Sequence, residues 1–516
     1  MFTFRRRSVR RRLIPLVLLL TLALTIWYLC QPPDSPAVLA LHFNAWRVGN
    51  ALGGASPDNI GGRDDGPGKF PIHIPSEVGV LIKTGYGTRH RLREQLIAFA
   101  VEGGILGDEG RDFLVVGDWS QKALSKSASK AAREDAGEDD AELDKAEEEE
   151  EEENANGEPQ PGREIPELGV REIHDAVGLV MESGDIGEAF REHERFGKYR
   201  SLRGAVDAGD AVRAEQLGGK YGWELDALKF IKGMDMAYRR MPHKKWYMIL
   251  DDDTFVVRTS LQALLRTLDP ARPMYLGNSV GDYKARFAHG GSAVLISGAA
   301  MRLLFAGRPD VVREAYVRSL DETWGDRLVA TTLQRVGVYI AEPYSRFFNG
   351  ETPGLTRIRP ESVCVPVVSF HGLRDPGVML ATGRTMARNR MTYRNHHSFY
   401  IPRDAPLLWG ELWDLYARNP LETYAAAEEP FQPGDLVGPA RGDPDVKAWK
   451  GVWSADACRR KCGSRRRCLA WSYDTETREC RGSPWVVADA AADGNMLTGV
   501  NWAMAKAMGE CLPGGI

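Results

Sequence analysis

Trp246-Tyr247-Met248-Ile249-Leu250-Asp251-Asp252-Asp253-Thr254-Phe255-Val256-Val257 decides how this chain is read. Five apolar residues in a row predict a strand buried on both faces. Three carboxylates follow at once, and unpaired they would repel one another at the end of a sheet. A divalent cation removes that repulsion, because Mg2+ and Mn2+ take oxygen ligands and often share one or two carboxylates with phosphate oxygens. The carboxyl end of a strand in an open α/β sheet is also where ligands bind. A solvated acidic turn that caps a helix is the plainer alternative.

Outward from this turn, the pattern continues as an α/β fold. Val78–Lys83 reads as a strand running into the turn Thr84-Gly85-Tyr86-Gly87, Arg89–Ala100 has helical spacing, and Arg111–Asp118 reads as a second strand ending in an acid. Tyr221–Arg240 reads as a helix whose apolar positions are Trp223, Leu225, Leu228, Phe230, Ile231 and Met234. A helix over Asp326–Arg335 and a strand over Val363–Phe370 complete the expected core, with partial helix in a connecting segment over 380–430. Residues 120–165 interrupt the domain with a low-complexity acidic tract that cannot bury a core.

Charge is segregated along the chain. Residues 134–153 hold fourteen acids and one base, Lys145, within a total formal charge of -4. Six arginines fall in the first twelve residues, and what remains is nearly balanced. No broad basic surface of the kind that binds nucleic acid is expected. The arginines precede an uncharged run over 13–29, read as an uncleaved transmembrane signal-anchor with residues 1–12 as a cytoplasmic tail; a cleaved signal peptide is the alternative. Residues 30–75 read as a flexible stem. A short span of this kind points to Golgi or endoplasmic reticulum membranes, with everything after Cys30 in the lumen.

Five of the seven cysteines, Cys458, Cys462, Cys468, Cys480 and Cys511, crowd the C-terminal end, while Cys30 and Cys364 stand apart. Clustering of this kind predicts disulfides in an oxidising compartment. A zinc site fits less well, since the spacings are C-x3-C, C-x5-C and C-x11-C rather than paired C-x2-C.

The segment 246–257 resembles the metal-binding turn of Fringe-like β-1,3-glycosyltransferases of glycosyltransferase family 31, most closely their fungal branch. Four further segments agree in order: Val80–Gly85 resembles the first strand, Gly222–Lys229 the helix before the metal turn, His289–Met301 the glycine-rich acceptor-side loop, and Gly325-Asp326 with Leu333–Gly337 the acidic catalytic segment. The resemblance covers roughly residues 77–380 and implies a GT-A α/β fold with a mostly parallel central sheet over 76–430. It also implies a UDP-sugar donor, a glycan acceptor, Mn2+, inversion at the anomeric carbon and a β-1,3 linkage.

Residue by residue, the resemblance makes Asp253 and His371 metal ligands, with Asp251 and Asp252 contacting metal-bound water, ribose or phosphate. Inversion needs one general base. Asp326 fits that role, with Asp321 and Glu322 as alternatives, because Gly325 replaces the first of the family's usual paired acids; an N-cap aspartate is the plainer reading of Asp326. Lys83, Asp118 and Lys229 are expected donor contacts. His289, Gly290 and Gly291 are expected on the acceptor side, where glycines allow close backbone approach.

The C-terminal cysteines with Trp471 and Tyr473 resemble a PAN/apple module over 438–516, a small disulfide-stapled α+β unit. That resemblance implies Cys458–Cys480 and Cys462–Cys468 pairs and leaves Cys511 to pair with Cys364 or stay free. A binding accessory and a stabilising tailpiece are both open readings of it. For the whole chain, the alternatives to a transferase are a catalytically silent lectin-like binder and a membrane tether acting through the acidic tract.

Overall fold

The computed structural model describes residues 5–51, 69–122 and 168–505, apart from positions 185, 283, 285, 395–396, 420, 428, 432–433, 440–441 and 489–493. Most of the acidic tract, from 123 onward, and Cys511 therefore lie outside the described residues.

In chain order the strands that build the site are β1 (Val78–Lys83), β2 (Phe113–Gly117), β3 (Gln121–Lys122), β4 (Glu172–Asp175), β5 (Trp246–Asp251), β6 (Phe255–Val256), β7 (Tyr275–Gly277), β8 (Ser279–Val280), β9 (Phe287–Ala288), β10 (Val294–Ser297) and β11 (Ser369–Phe370). Seven of them form one sheet in the order β3-β4-β2-β1-β5-β10-β7. The apolar run of β5 is buried throughout because the sheet is covered on both faces. Trp246, Met248 and Leu250 enter one core cluster. Tyr247 and Ile249 enter the other. Removing each such side chain from water contributes on the order of 2 kcal/mol.

The sheet is mixed, which corrects the mostly parallel expectation. β1 runs parallel to β2 and β5, and β2 parallel to β4. β10 runs antiparallel to both β5 and β7, and β3 antiparallel to β4. A parallel neighbour needs a long crossover, normally a helix laid over the sheet. Between β7 and β10 the chain makes only the short β8–β9 hairpin and a tight turn, so β10 returns in the opposite sense.

The register puts the chemistry at one edge. Lys83 lies opposite Asp251 on β5 and opposite Val116 on β2, so the carboxyl ends of these strands are level. The helix Ala211–Arg240 crosses this end, ten residues longer at its N-terminus than its apolar spacing indicated. Leu225, Leu228, Phe230, Ile231 and Met234 are buried as expected, but Trp223 is 65% exposed.

Several local expectations change. The run Val363–Phe370 is buried at most positions, but only Ser369 and Phe370 form a strand. Pro366 has no N–H to give to a ladder, and Val367 bonds singly to the carbonyl of Leu407. The segment 380–430 contains the end of the helix Pro376–Met386, a hairpin of β12 (Arg390–Arg394) and β13 (His397–Ile401), and two short helices. The expected flexible stem contains a helix, Pro36–Ala51, whose Val38 and Leu39 are buried and whose His42 stacks on Tyr339 at 3.9 Å.

The run over 13–29 forms the later part of a longer helix, Arg5–Leu29. Among the described residues no helix is long and apolar enough to cross a membrane. The transmembrane anchor expected over 13–29 is therefore not among what the described residues show. Arginines fill six of the helix's first eight positions, and seventeen uncharged residues follow them.

The C-terminal unit is a four-stranded antiparallel sheet of β14 (Lys447–Trp449), β15 (Ala470–Asp474), β16 (Glu479–Ser483) and β17 (Met496–Val500), in the order β14-β16-β15-β17. The helix Ala455–Gly463 is stapled to it by Cys458–Cys480, and Cys462–Cys468 closes the turn that follows. Cys364 is also disulfide-bonded, and Cys30 is free and exposed. Leu469, Trp485 and Val486 join the core that lies under the main sheet, so the two units share apolar packing.

Glu102 ends the helix Leu92–Glu102 and accepts a hydrogen bond from the backbone N–H of Arg258, which fixes the start of the helix after the acidic turn. Burial pushes its pKa from 4.5 up to about 8, against the opposing charge of Arg258. The folded chain therefore binds this proton more tightly than the unfolded chain, and stability falls as pH rises between those two values. Glu102→Gln is expected to raise the melting temperature at pH 8 and leave it unchanged at pH 4. An equal shift at both pH values would rule out this titration as the cause.

Candidate metal and catalytic site

Asp251, Asp253 and His371 each offer a ligand atom, and those atoms all lie within 4.8 Å of one another. The sequence separates His371 from the acidic turn by more than a hundred residues, and strand pairing closes that gap. Phe370 on β11 lies opposite Phe255 on β6, two residues past Asp253. The backbone N–H of Leu373 donates to the carbonyl of Asp253 at 3.0 Å, which brings His371 Nε2 to 3.3 Å from Asp253 Oδ1. Gly291 makes room for the imidazole: a Cβ there would sit 2.2 Å from His371 Nε2.

The turn itself is clamped from below. Gln95 Nε2 donates to the carbonyls of Asp251 and Thr254, both at 2.7 Å, and Thr254 Oγ1 donates to the carbonyl of Gly291 at 2.8 Å. The three carboxylates meet different surroundings. Asp252 points inward and accepts from Thr84 and Thr88 at 2.8 and 2.5 Å. Burial pushes its pKa up to about 6, the threonine bonds opposing. Burial acts on Asp253 in the same sense, but the hydrogen bond and charge of His371, with Arg91 and Arg374, outweigh it and hold the group below the ordinary range. Asp251 Oδ1 is buried and accepts no well-directed hydrogen bond, although Lys83 Nζ lies 2.8 Å away. A buried carboxylate oxygen left open beside a second carboxylate and an imidazole is a donor set that suits Mn2+ or a similar cation.

Lys83, Asp118 and Lys229 form a buried chain of alternating charge that begins at Asp251. Lys83 Nζ contacts Asp251 and Asp226 at 2.8 and 2.9 Å and lies 3.5 Å from the ring centre of Phe230. Lys229 Nζ contacts Asp118 at 3.1 Å and donates to the carbonyl of Thr84 at 2.8 Å. Asp118 also accepts from the N–H of Tyr86 at 2.9 Å. All three residues are at most 2% exposed, so none of them reaches the surface.

Asp326 sits in the first turn of the helix Gly325–Gln334 but does not cap it. Its Oδ2 accepts from the N–H of Gly290 at 2.8 Å and its Oδ1 from the N–H of Arg327 at 2.8 Å. Each oxygen keeps a free acceptor direction. Burial raises the pKa, against the two amide donors. His289, on the same loop, bonds through Nδ1 to Ser292 Oγ at 2.8 Å and meets His371 edge-on at 5.1 Å. Asp321 is 87% exposed at its side chain and pairs with His193, and Glu322 pairs with Arg327, so neither shares Asp326's contact with the glycine loop. Gly325 explains the missing second acid: a Cβ there would lie 2.1 Å from Phe230 Cδ2.

Asp226, Thr84, Thr88, Arg91 and Arg374 belong to the site and were not singled out in the sequence. Asp226 did carry a signal, standing three residues before Lys229 on one helix face. The arginines carried none, since their partners come from distant segments.

Residues 217–322 match the family model described as Fringe-like. The matched segment holds Asp226, the acidic turn and the glycine loop, and ends just before Asp326. Residues 437–499 match the PAN domain. No curated protein matches the chain. The chain thus carries a Fringe-like domain, of a glycosyltransferase family, joined to a C-terminal PAN domain.

Proposed function

We propose that this protein is an inverting, metal-dependent transferase that moves a hexose or N-acetylhexosamine from a UDP-sugar to a glycan on a glycoprotein or glycolipid, forming a β-1,3 linkage. The reading is carried by the meeting of Asp251, Asp253 and His371 at the carboxyl end of β5, inside and beside the Fringe-like segment. Asp253, Asp251 and His371 would hold Mn2+, which when bound neutralises negative charge on the departing diphosphate. Asp252 and Asp251 line the diphosphate side. Lys83, Asp118 and Lys229 form the floor of the donor cleft, and the two ammonium groups hold the Asp226 carboxyl below its ordinary range. Asp326 takes the proton of the acceptor hydroxyl, and the loop at His289, Gly290 and Gly291 places that sugar. The disulfides fit an oxidising lumen, and we place the enzyme in the Golgi.

The test is calorimetric titration of UDP into the protein with and without Mn2+. UDP is expected to bind only with Mn2+, and Asp253→Ala is expected to abolish the heat. Folded protein that takes up no UDP under either condition would favour a lectin-like binder instead.

A further inference from the structure

A cleft of about 670 Å³ opens where the C-terminal unit meets the main body, far in sequence from the acidic turn. Its volume is in the range that holds a small ligand. One wall comes from the turn at Arg359–Glu361, another from Pro444–Lys447, and a third from Arg465–Cys468 with Ser483 and Pro484.

The arginine wall is preformed. Arg465, Arg466 and Arg467 lie in the loop closed by Cys462–Cys468, a separation of six residues. Backbone bonds tighten the loop, from Arg465 N–H to the carbonyl of Cys462 and from Cys468 N–H to that of Arg465. Asn501 Nδ2 donates to the carbonyl of Cys468 at 2.8 Å and ties the loop to the last strand. Gly482 lets the floor pack closely, since a Cβ there would meet Cys468 Sγ at 2.8 Å.

Charge balance makes this wall attractive to an anion. Asp445 is paired with Arg359 at 2.8 Å, and Arg359 stacks on Trp485. Arg465 lies over the ring of Trp449. Arg466 and Arg467 make no ion pair among the described residues, and both are exposed. Glu361 is then the single acid facing Lys447 and three arginines. Three like charges fixed in one turn repel, and an anion with several oxygens relieves that repulsion by bidentate contacts. The apolar faces of Pro360, Pro444 and Pro484 offer a surface for the CH face of a sugar ring.

We propose that this cleft binds an anionic oligosaccharide, held by the arginines through its sulfate or carboxylate groups. The site is independent of the transfer reaction. A nucleic acid would need a longer basic track than one turn provides.

The experiment is calorimetric titration of the full chain, at physiological salt, with three probes: a heparin-derived tetrasaccharide, a tetragalacturonate and a neutral N-acetylglucosamine tetramer. One or both anionic probes are expected to bind and the neutral one not to bind, and the better anionic probe identifies sulfate or carboxylate as the recognised group. Arg466→Ser with Arg467→Ser is expected to weaken that binding about tenfold or more, with an unchanged melting temperature. Arg459→Ser with Arg460→Ser, which removes two arginines paired with Asp456, is expected to leave it intact. Equal binding of the neutral probe, no binding of either anionic probe, equal loss in the control variant, or displacement by an equal concentration of inorganic sulfate would each overturn the proposal. Mn2+-dependent UDP binding, followed in the same samples, reports separately on the transferase reading.

Discussion

Asp326→Asn is expected to lower turnover by about a hundredfold to ten-thousandfold, the usual contribution of a general base, while leaving Mn2+-dependent UDP binding unchanged. Asparagine keeps the size of the side chain and can still accept from the N–H of Gly290, so the loop should hold its place. It cannot take the proton of an attacking hydroxyl. Burial already raises the pKa of Asp326, which makes the carboxylate a better proton acceptor than an exposed aspartate. Asp321→Asn and Glu322→Gln serve as comparisons. Asp321 is solvent-facing and Glu322 is bound to Arg327, so both variants are expected to keep most activity. Steady-state kinetics beside UDP calorimetry separates these outcomes. If Asp326→Asn turns over normally and Glu322→Gln does not, the base is Glu322.

Lys83→Met is expected to destabilise the fold by about 2–3 kcal/mol, less than the cost of breaking a fully buried pair because the partner carboxylates are about a third exposed. Methionine fills most of the lysine's volume, so the loss is mainly electrostatic. Lys83 is 2% exposed and sits between Asp226 and Asp251. Burial by itself would lower its pKa, but those two carboxylates outweigh this and raise it, so the ammonium stays charged. Asp226 depends on it in turn: burial pushes its carboxyl up, and the charges of Lys83 and Lys229 more than reverse this. Without Lys83, the half-buried carboxylates of Asp226 and Asp251 lose the ammonium that lies between them. Denaturant unfolding of Lys83→Met and of the double variant Lys83→Met/Asp226→Asn measures the effect. The double variant is expected to recover part of the loss, and an additive further loss would show that the pair is not coupled.

Much of the site is legible in the sequence. The strand into the acidic triplet could be read because an uninterrupted apolar run followed by charge has few stable placements other than a sheet end. Lys83 and Asp118 stand at the ends of early strands, while Lys229 and Asp326 fall in segments that carry the family resemblance. Their use was less legible. A lysine at a strand end is equally compatible with touching a ligand or with pairing beneath one, and only the register of β1 against β5 shows that Lys83 meets Asp251.

The sequence by itself determined the elements near the acidic turn, the separation of a cysteine-rich end from an α/β body, and the types of residue available for metal and proton chemistry. Local spacing, β-branched and aromatic runs, and cysteine clustering act over a few residues, so they survive in the one-dimensional record. The tertiary structure alone decided the sense of β10, the return of His371 to Asp253, the packing of the helix Pro36–Ala51 on the body, and the basic cleft between the two units. Each of these depends on contacts between segments distant in sequence, where the winning arrangement is set by what burial and hydrogen bonding both allow once the whole chain is folded.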